Sequence, residues 1–398
     1  MWNPRILVID SPGQLEAEMA AVGVDPIGAE IMLPKGVFRA VKIEGLRTQA
    51  ANIIKQEMLA KGGEAATSWS SVVSTGETTD VLLLGTLRQY RRLISRLGMQ
   101  PFGLRSLADA LKEAIEHFDS VPRSTLCGGL TLEWGKRTYV MGIINATFDS
   151  FSGDGLGTDV EAAVAQARHF VEEGADLLDV GGESTRPGHT PVEADEELRR
   201  VLPVLKAVIA SVDMPVSIDT YKAEVAEAAI AEGADMVNDI WGLRKDPRLA
   251  TVVAQAAVPV VIMHNQDGTE YHDLMADITR SLRESVEIAL NAGVAEANII
   301  VDPGIGFGKR REHNLEVMAR LAELRVLGRP ILLGTSRKST IGYVLNLPPD
   351  QRVEGTAATV AIGIANGADI VRVHDVKEMV RVARMSDAIA RGRWQEYS

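Results

Sequence analysis

Beyond about residue 136, short apolar runs alternate with stretches whose apolar residues recur at helical spacing. The runs lie at 139–144, 177–180, 216–218, 236–237, 258–263, 299–301, 331–333 and 370–373, and each passes into polar residues. Between them, 161–173, 196–209, 222–232, 281–292, 314–324 and 356–366 carry the 3.6-residue period of amphipathic helices. The tetrapeptide Glu-Gly-Ala-Asp stands at 173–176 and 232–235, with Asn-Gly-Ala-Asp at 366–369. In each the glycine is expected to end a helix and lead into a strand. Eight strands with helices between them predict a (β/α)8 TIM barrel, which takes roughly 250 residues. An open doubly wound sheet is the rival, but it uses fewer strands and an early phosphate loop. The run Gly304-Ile305-Gly306-Phe307-Gly308-Lys309 resembles such a loop and fits neither phosphate pattern, since Pro303 and Arg310 occupy key positions.

Upstream the pattern is that of a smaller α/β domain. The apolar runs 5–9 and 81–84 predict buried strands. Helical spacing covers 46–61, stopped by Gly62-Gly63, and also 86–97 and 107–117. The stretch 118–124, with Pro122 and small polar residues, reads as a linker. The expected organisation is a small α/β domain at 1–120, without a catalytic constellation, and a barrel at 121–398.

Composition narrows the function. The 398 residues carry 42 Lys+Arg against 54 Asp+Glu, a net charge of −12, which disfavours nucleic acid and anionic lipid as partners. The single cysteine, Cys127, rules out an intrachain disulfide framework and a multi-thiolate zinc site. No apolar run approaches a membrane span, and Met-Trp-Asn-Pro-Arg at the start lacks a signal-peptide core, so a cytoplasmic protein is expected.

Barrel enzymes work where strands end. The residues there are Asn145, the stretch from Gly181 to Gly188 preceded by Asp179, Asp219-Thr220, Asn238-Asp239, His264-Asn265, Asp302, Ser336-Arg337-Lys338-Ser339, and Arg372, His374 and Asp375. An Asp after a strand is ordinarily a turn former or helix cap, and a lone Lys or Arg a solvated charge. Polar residues at all eight ends of one face go beyond what turns require. No His-Glu-x-x-His or Gly-x-Ser-x-Gly spacing is present. Asp219 and Asp302 beside the Asn238 amide suit a flat heterocycle with an amidine-like edge. Lys338, Arg372 and His374 suit phosphate.

The segments 141–152 (Met-Gly-Ile-Ile-Asn-Ala-Thr-Phe-Asp-Ser-Phe-Ser), 179–188 (Asp-Val-Gly-Gly-Glu-Ser-Thr-Arg-Pro-Gly), 216–220, 237–240, 302–309, 336–339 and 372–376 resemble, in order, the motifs of dihydropteroate synthases. The resemblance runs over about 138–390. It implies a (β/α)8 barrel that joins 6-hydroxymethyl-7,8-dihydropterin diphosphate to 4-aminobenzoate, releases diphosphate, uses Mg²⁺ and works as a homodimer. It implies pterin-pocket roles for Asp219, Asn238, Asp302 and Lys338, with Asp179 counted among the substrate-binding residues. It places Asn145, Arg372 and His374 at the diphosphate and Mg²⁺ end, Asn145 as metal ligand. Phe151, Thr185, Arg186, Pro187 and Ser336 complete the aminobenzoate site. The chain departs from the family with Phe148 in place of proline, with Gly153-Asp154-Gly155, and after His264. The alternatives are a folate–corrinoid methyltransferase, which would not need the 336–339 loop or the Arg372/His374 end, and a non-catalytic pterin-binding paralogue.

Overall fold

The computed structural model describes residues 2–69, 78–146, 160–183 and 192–392. Phe148, Phe151, Gly153-Asp154-Gly155, Thr185, Arg186 and Pro187 lie outside them. The chain divides into two compact units, Met1–Ser120 and Val121–Ser398.

In the first unit, an antiparallel sheet of order β1-β3-β2 (β1 Phe38–Arg47, β2 Glu64–Thr67, β3 Thr78–Thr86) packs one face on helices Thr48–Leu59, Leu87–Leu97 and Leu104–Asp119. Along β3 the burial alternates: Val81 and Leu83 are buried, and Leu82 between them is exposed. Ile54, Met58, Leu93, Leu97 and Tyr90 fill this core, with the Tyr90 hydroxyl donating to the Leu83 carbonyl at 2.9 Å. Three expectations need correction. Residues 5–9 form no strand, and Ile6 is 97% exposed. Four consecutive apolar residues gain nothing without a pairing strand, whereas the alternating Phe38-Arg39-Ala40-Val41-Lys42-Ile43 supplies β1 instead. Leu46 and Arg47 belong to β1, so that helix starts at Thr48. Phe118 and Asp119 are helical, so the linker is shorter than 118–124.

The second unit is a closed parallel barrel. Among the described residues its eight strands are β6 Tyr139–Asn145, β7 Leu177–Gly181, β8 Val216–Asp219, β9 Met236–Asp239, β10 Val260–Met263, β11 Ile299–Asp302, β12 Leu332–Leu333 and β13 Ile370–Val373. Their order is β11-β10-β9-β8-β7-β6-β13-β12, and a bridge from Val301 to Ile331 closes the ring. The helix expected at 314–324 ends at Ala319 and gives way to a 3-10 turn, Leu321–Leu327. Helices Leu249–Ala256, Ser339–Leu345 and Val376–Ala390 complete the outer layer.

The repeated Gly-Ala-Asp has a structural cause. Gly174, Gly233 and Gly367 all take φ near +100°, which ends the helix at little steric cost. The following aspartates each hold the neighbouring strand: Asp176 accepts from Val140 N–H at 2.9 Å, Asp235 from Val216 N–H at 3.0 Å and Asp369 from Ile331 N–H at 3.1 Å.

A hairpin precedes the barrel, β4 Thr125–Cys127 and β5 Leu130–Leu132, turned by Gly128-Gly129 at positive φ. Cys127, Leu132 and Trp134 pack against Met141, Leu177, Met236, Val261, Ile300, Leu332 and Ile370. These are lower inward positions of seven strands, so the hairpin plugs the barrel's N-terminal end.

Candidate active site

Strand parity builds the site. Along β7 and β13 the outward residues Leu178, Val180, Val371 and Val373 join the helix-packed core. The inward residues begin apolar, at Leu177 and Ile370, and become polar one step later, at Asp179 and Arg372. The same alternation turns Ser217 and Asp219 of β8, Asn238 of β9 and Asp302 of β11 into the barrel, above the plugged end.

Arg372 is the hub. Its Nε donates to Asp179 Oδ2 at 2.6 Å, and its Nη2 to Asp219 Oδ2 at 2.8 Å. Asn238 Nδ2 donates to the same Asp179 oxygen at 3.0 Å. Two predicted site residues on two other strands thus meet at one predicted cation, and a third is bonded to one of them. Oδ1 of Asp179, Oδ1 of Asp219 and Oγ of Ser217 are buried without a partner among the described residues. Burial pushes Asp219 up to about 7, against the pull of Arg372 and with help from Asp179, Glu197 and Asp239. Burial works against the Arg372 charge, but Asp179 and Asp219 outweigh it and raise its pKa. Asp302 is pushed up to about 6 by burial, opposed first by the Gly304 N–H that its Oδ1 accepts at 2.7 Å, then by Lys338, Lys309 and Arg372. Asp239 serves the loop: it accepts from the N–H groups of Trp241 and Leu243.

On the β12–β13 side, Arg337 grips Asp375 bidentately, Nη2 to Oδ1 at 2.6 Å and Nε to Oδ2 at 3.1 Å. The loop after β12 is thereby tied to the end of β13. Ser336 Oγ accepts from His374 N–H at 3.1 Å and lies 2.9 Å from His374 Nδ1. The Lys338 ammonium sits 4.5 Å from the centroid of the Phe307 ring. Asn145 ends β6, half-buried. All described candidates are thus at the C-terminal end of the barrel.

Two polar clusters escaped the sequence reading. Lys222 binds both Glu183 and Glu197, and Tyr221 donates to Glu183 at 3.3 Å. Lys309, nearly fully buried, reaches His264 Nδ1 at 2.8 Å and the carbonyls of Gly304 and Phe307 at 3.0 and 3.1 Å. Burial takes His264 down to about 2, with Lys309 and Arg244 adding to the effect. Burial also takes Lys309 down to about 7, against Asp302. Glu183, His264 and Lys309 each stood within a strand-end stretch or the glycine-rich run, but nothing local paired them with Lys222, Glu197 or each other.

Residues 141–374 match the family described as pterin binding enzyme. A dihydropteroate synthase of Clostridium beijerinckii is 56% identical over 258 residues, covering 65% of this chain and 96% of the relative. A probable bifunctional folylpolyglutamate synthase/dihydropteroate synthase of Halobacterium salinarum is 40% identical over 391 residues, 96% of this chain and 47% of that protein. A solved dihydropteroate synthase of Xanthomonas albilineans with 4-aminobenzoic acid superposes with a TM-score of 0.63 at 45% identity, covering 68% of this chain and 98% of that one.

Proposed function

The chain belongs to the dihydropteroate synthase family, and on that premise we propose how its barrel mouth performs the reaction. The activity is a transferase step of folate biosynthesis: 6-hydroxymethyl-7,8-dihydropterin diphosphate and 4-aminobenzoate give 7,8-dihydropteroate and diphosphate.

The assignment of roles rests on the two partnerless carboxylate oxygens, Asp179 Oδ1 and Asp219 Oδ1, next to the Asn238 amide. Buried acceptors of this kind call for donors. The amino-pyrimidine edge of a pterin supplies them. Asp219, Asn238, Asp179 and Asp302 then hold the ring, with Lys338 donating to its acceptor atoms. Arg372 and His374 face the diphosphate, while Ser336, bonded to His374, borders the aminobenzoate site. The methylene C–O bond breaks with its electron pair departing on diphosphate. The amine lone pair of aminobenzoate forms the C–N bond, and the amine gives up one proton. Asp219 and Asp302 stabilise positive charge developing on the pterin methylene, and Arg372 the negative charge that leaves. The aromatic amine is neutral at pH 7, so no strong base is required. Phe151, Thr185, Arg186 and Pro187 take their aminobenzoate roles from the motif resemblance alone.

Among the described residues no three His, Cys, Asp or Glu gather into a metal cage. Asn145 offers a single hard oxygen at the rim. That donor set would suit a magnesium ion held by Asn145 together with the substrate's own oxygens and not by a protein cage. When bound, the ion neutralises charge on the leaving group.

The homodimer is proposed on the same footing. Tyr343, Val344, Ile362, Met385 and Ile389 are exposed on three consecutive barrel helices, which suits a self-association face. Among the described residues no helix is long and apolar enough to cross a membrane. We place the enzyme in the cytoplasm, where folate precursors are made.

The test is release of diphosphate when the folded chain is mixed with pterin diphosphate, 4-aminobenzoate and Mg²⁺. No release under those conditions rejects the assignment.

A further inference from the structure

Lys309 is one of the most deeply buried cations in the barrel, and the reaction as described makes no use of it. Its ammonium has three donors and meets three acceptors: His264 Nδ1, the Gly304 carbonyl and the Phe307 carbonyl. The depressed His264 pKa leaves that ring neutral, with a lone pair on Nδ1 free to accept. A lysine held this way ties the turn after β11 to the end of β10.

That turn carries two parts of the pterin pocket. Gly304 donates its N–H to Asp302 Oδ1 and so sets the carboxylate's orientation. Phe307 supplies the ring over which the Lys338 ammonium sits. The Gly304 carbonyl also accepts from Phe307 N–H at 3.1 Å, so Lys309 caps the turn that joins the two. The backbone leaves little slack. Gly304 has φ +71°, and a Cβ there would come within 2.0 Å of the His264 carbonyl oxygen. Tyr271 holds the Gly308 carbonyl at 2.7 Å and Asn314 the Gly306 N–H at 2.7 Å. Lys309 is the member of this set that is also charged and lies close enough to Asp302 to favour its ionised form, together with Lys338 and Arg372.

We propose that Lys309 is a positioning residue of the pterin site, holding Asp302 and the Phe307–Lys338 pair in binding geometry through the carbonyls of Gly304 and Phe307. This rests on reading the barrel mouth as a pterin pocket. Replacing the lysine by an apolar residue of similar length takes the donor from the Phe307 carbonyl and the His264 nitrogen and leaves the Gly304 carbonyl with the Phe307 N–H. The turn then relaxes, and the two side chains that touch the ring move with it.

The experiment is calorimetry of the full chain with 6-hydroxymethylpterin, which carries no phosphate, alongside steady-state kinetics. Lys309→Met is expected to weaken pterin binding about tenfold or more while the aminobenzoate KM stays within about twofold. The acid limb of pterin binding should move to higher pH, because a cation that favours ionised Asp302 is gone. In an Asp302→Asn background, Lys309→Met should cost less than it does in the parent, since the part of its effect that runs through Asp302 is already gone and only the Phe307–Lys338 part remains. A folded Lys309→Met chain that binds pterin like the parent overturns the proposal, as do fully additive losses. If Lys309→Met does not fold, His264→Leu decides. That change removes one acceptor and should weaken pterin binding about threefold; unchanged affinity rejects the role. A parent chain that binds no pterin overturns the pocket reading itself, a result distinct from equal binding by parent and variant.

Discussion

Asp219 and Arg372 show how much one residue's surroundings decide. Asp219→Asn replaces a carboxylate acceptor with a mismatched amide, and pterin affinity should fall by about a hundredfold, since a hydrogen bond to a buried charge is worth about 1.5–3 kcal/mol. Calorimetry with a phosphate-free pterin measures it. The pH dependence follows from the raised values of Asp219, about 7, and Asp302, about 6. In the proposed pocket the ionised forms accept the pterin N–H groups, so affinity should climb from pH 5 to 8. Stability without ligand runs the other way. The folded chain holds protons that the unfolded chain releases at ordinary carboxylate pH, so this contribution is present below pH 4 and fades as pH rises through 6 to 7. Asp219→Asn, which never ionises, should therefore gain stability relative to the parent between pH 5 and 8. A pH-independent difference in urea unfolding would contradict the raised value.

Arg372→Ala carries a second consequence at this scale. It should hamper use of pterin diphosphate more than binding of a phosphate-free pterin. It also strips two buried carboxylates of their partner, a change that costs about 3–5 kcal/mol in a buried pair, less here because the guanidinium is 20% exposed. The loss should shrink at pH 5, where Asp219 takes up a proton. Equal losses for both ligands, with no pH dependence of stability, would make Arg372 a purely structural residue.

At the scale of the element, the Gly-Ala-Asp repeats join helix stop, strand start and neighbouring strand in four residues. Asp235→Ala should lose the Val216 bond and about 1–2 kcal/mol of stability, with pterin affinity unchanged. Chemical denaturation and calorimetry separate the two effects; a loss of pterin affinity would mean that the lower end of β8 communicates with its upper end. The helix stops and most barrel strands were readable from local pattern. The hairpin at 125–132 was not, because strands of three residues carry too little alternation to announce themselves.

For the whole molecule, we propose that 121–398 folds by itself, as does 1–120, because each unit has its own buried core. A chain starting at Val121 should unfold cooperatively and bind pterin within about twofold of the full chain. An insoluble fragment rescued by residues 1–120 would overturn the proposal. The smaller unit lies within the region shared with the Halobacterium salinarum protein, while the Clostridium beijerinckii synthase matches only 65% of the chain.

Sequence alone determined the strand and helix rhythm of the barrel, the glycine stops, and the polar residues at every strand end, because each depends on neighbours a few positions away. Motif order added the reaction. Tertiary structure decided which of those residues meet. Arg372 lies 193 positions from Asp179 and 153 from Asp219, and no local pattern encodes such a pairing. The inward or outward sense of each strand residue depends on register around a closed ring, and that brought Asp179, already picked out by the motifs, against Arg372 and Asn238. The same holds for Lys309 and His264, whose charge states follow from burial and from charges brought near by the fold. Residues 5–9 failed as a strand for the converse reason: an apolar run becomes a strand only where the folded chain offers it an edge and a core.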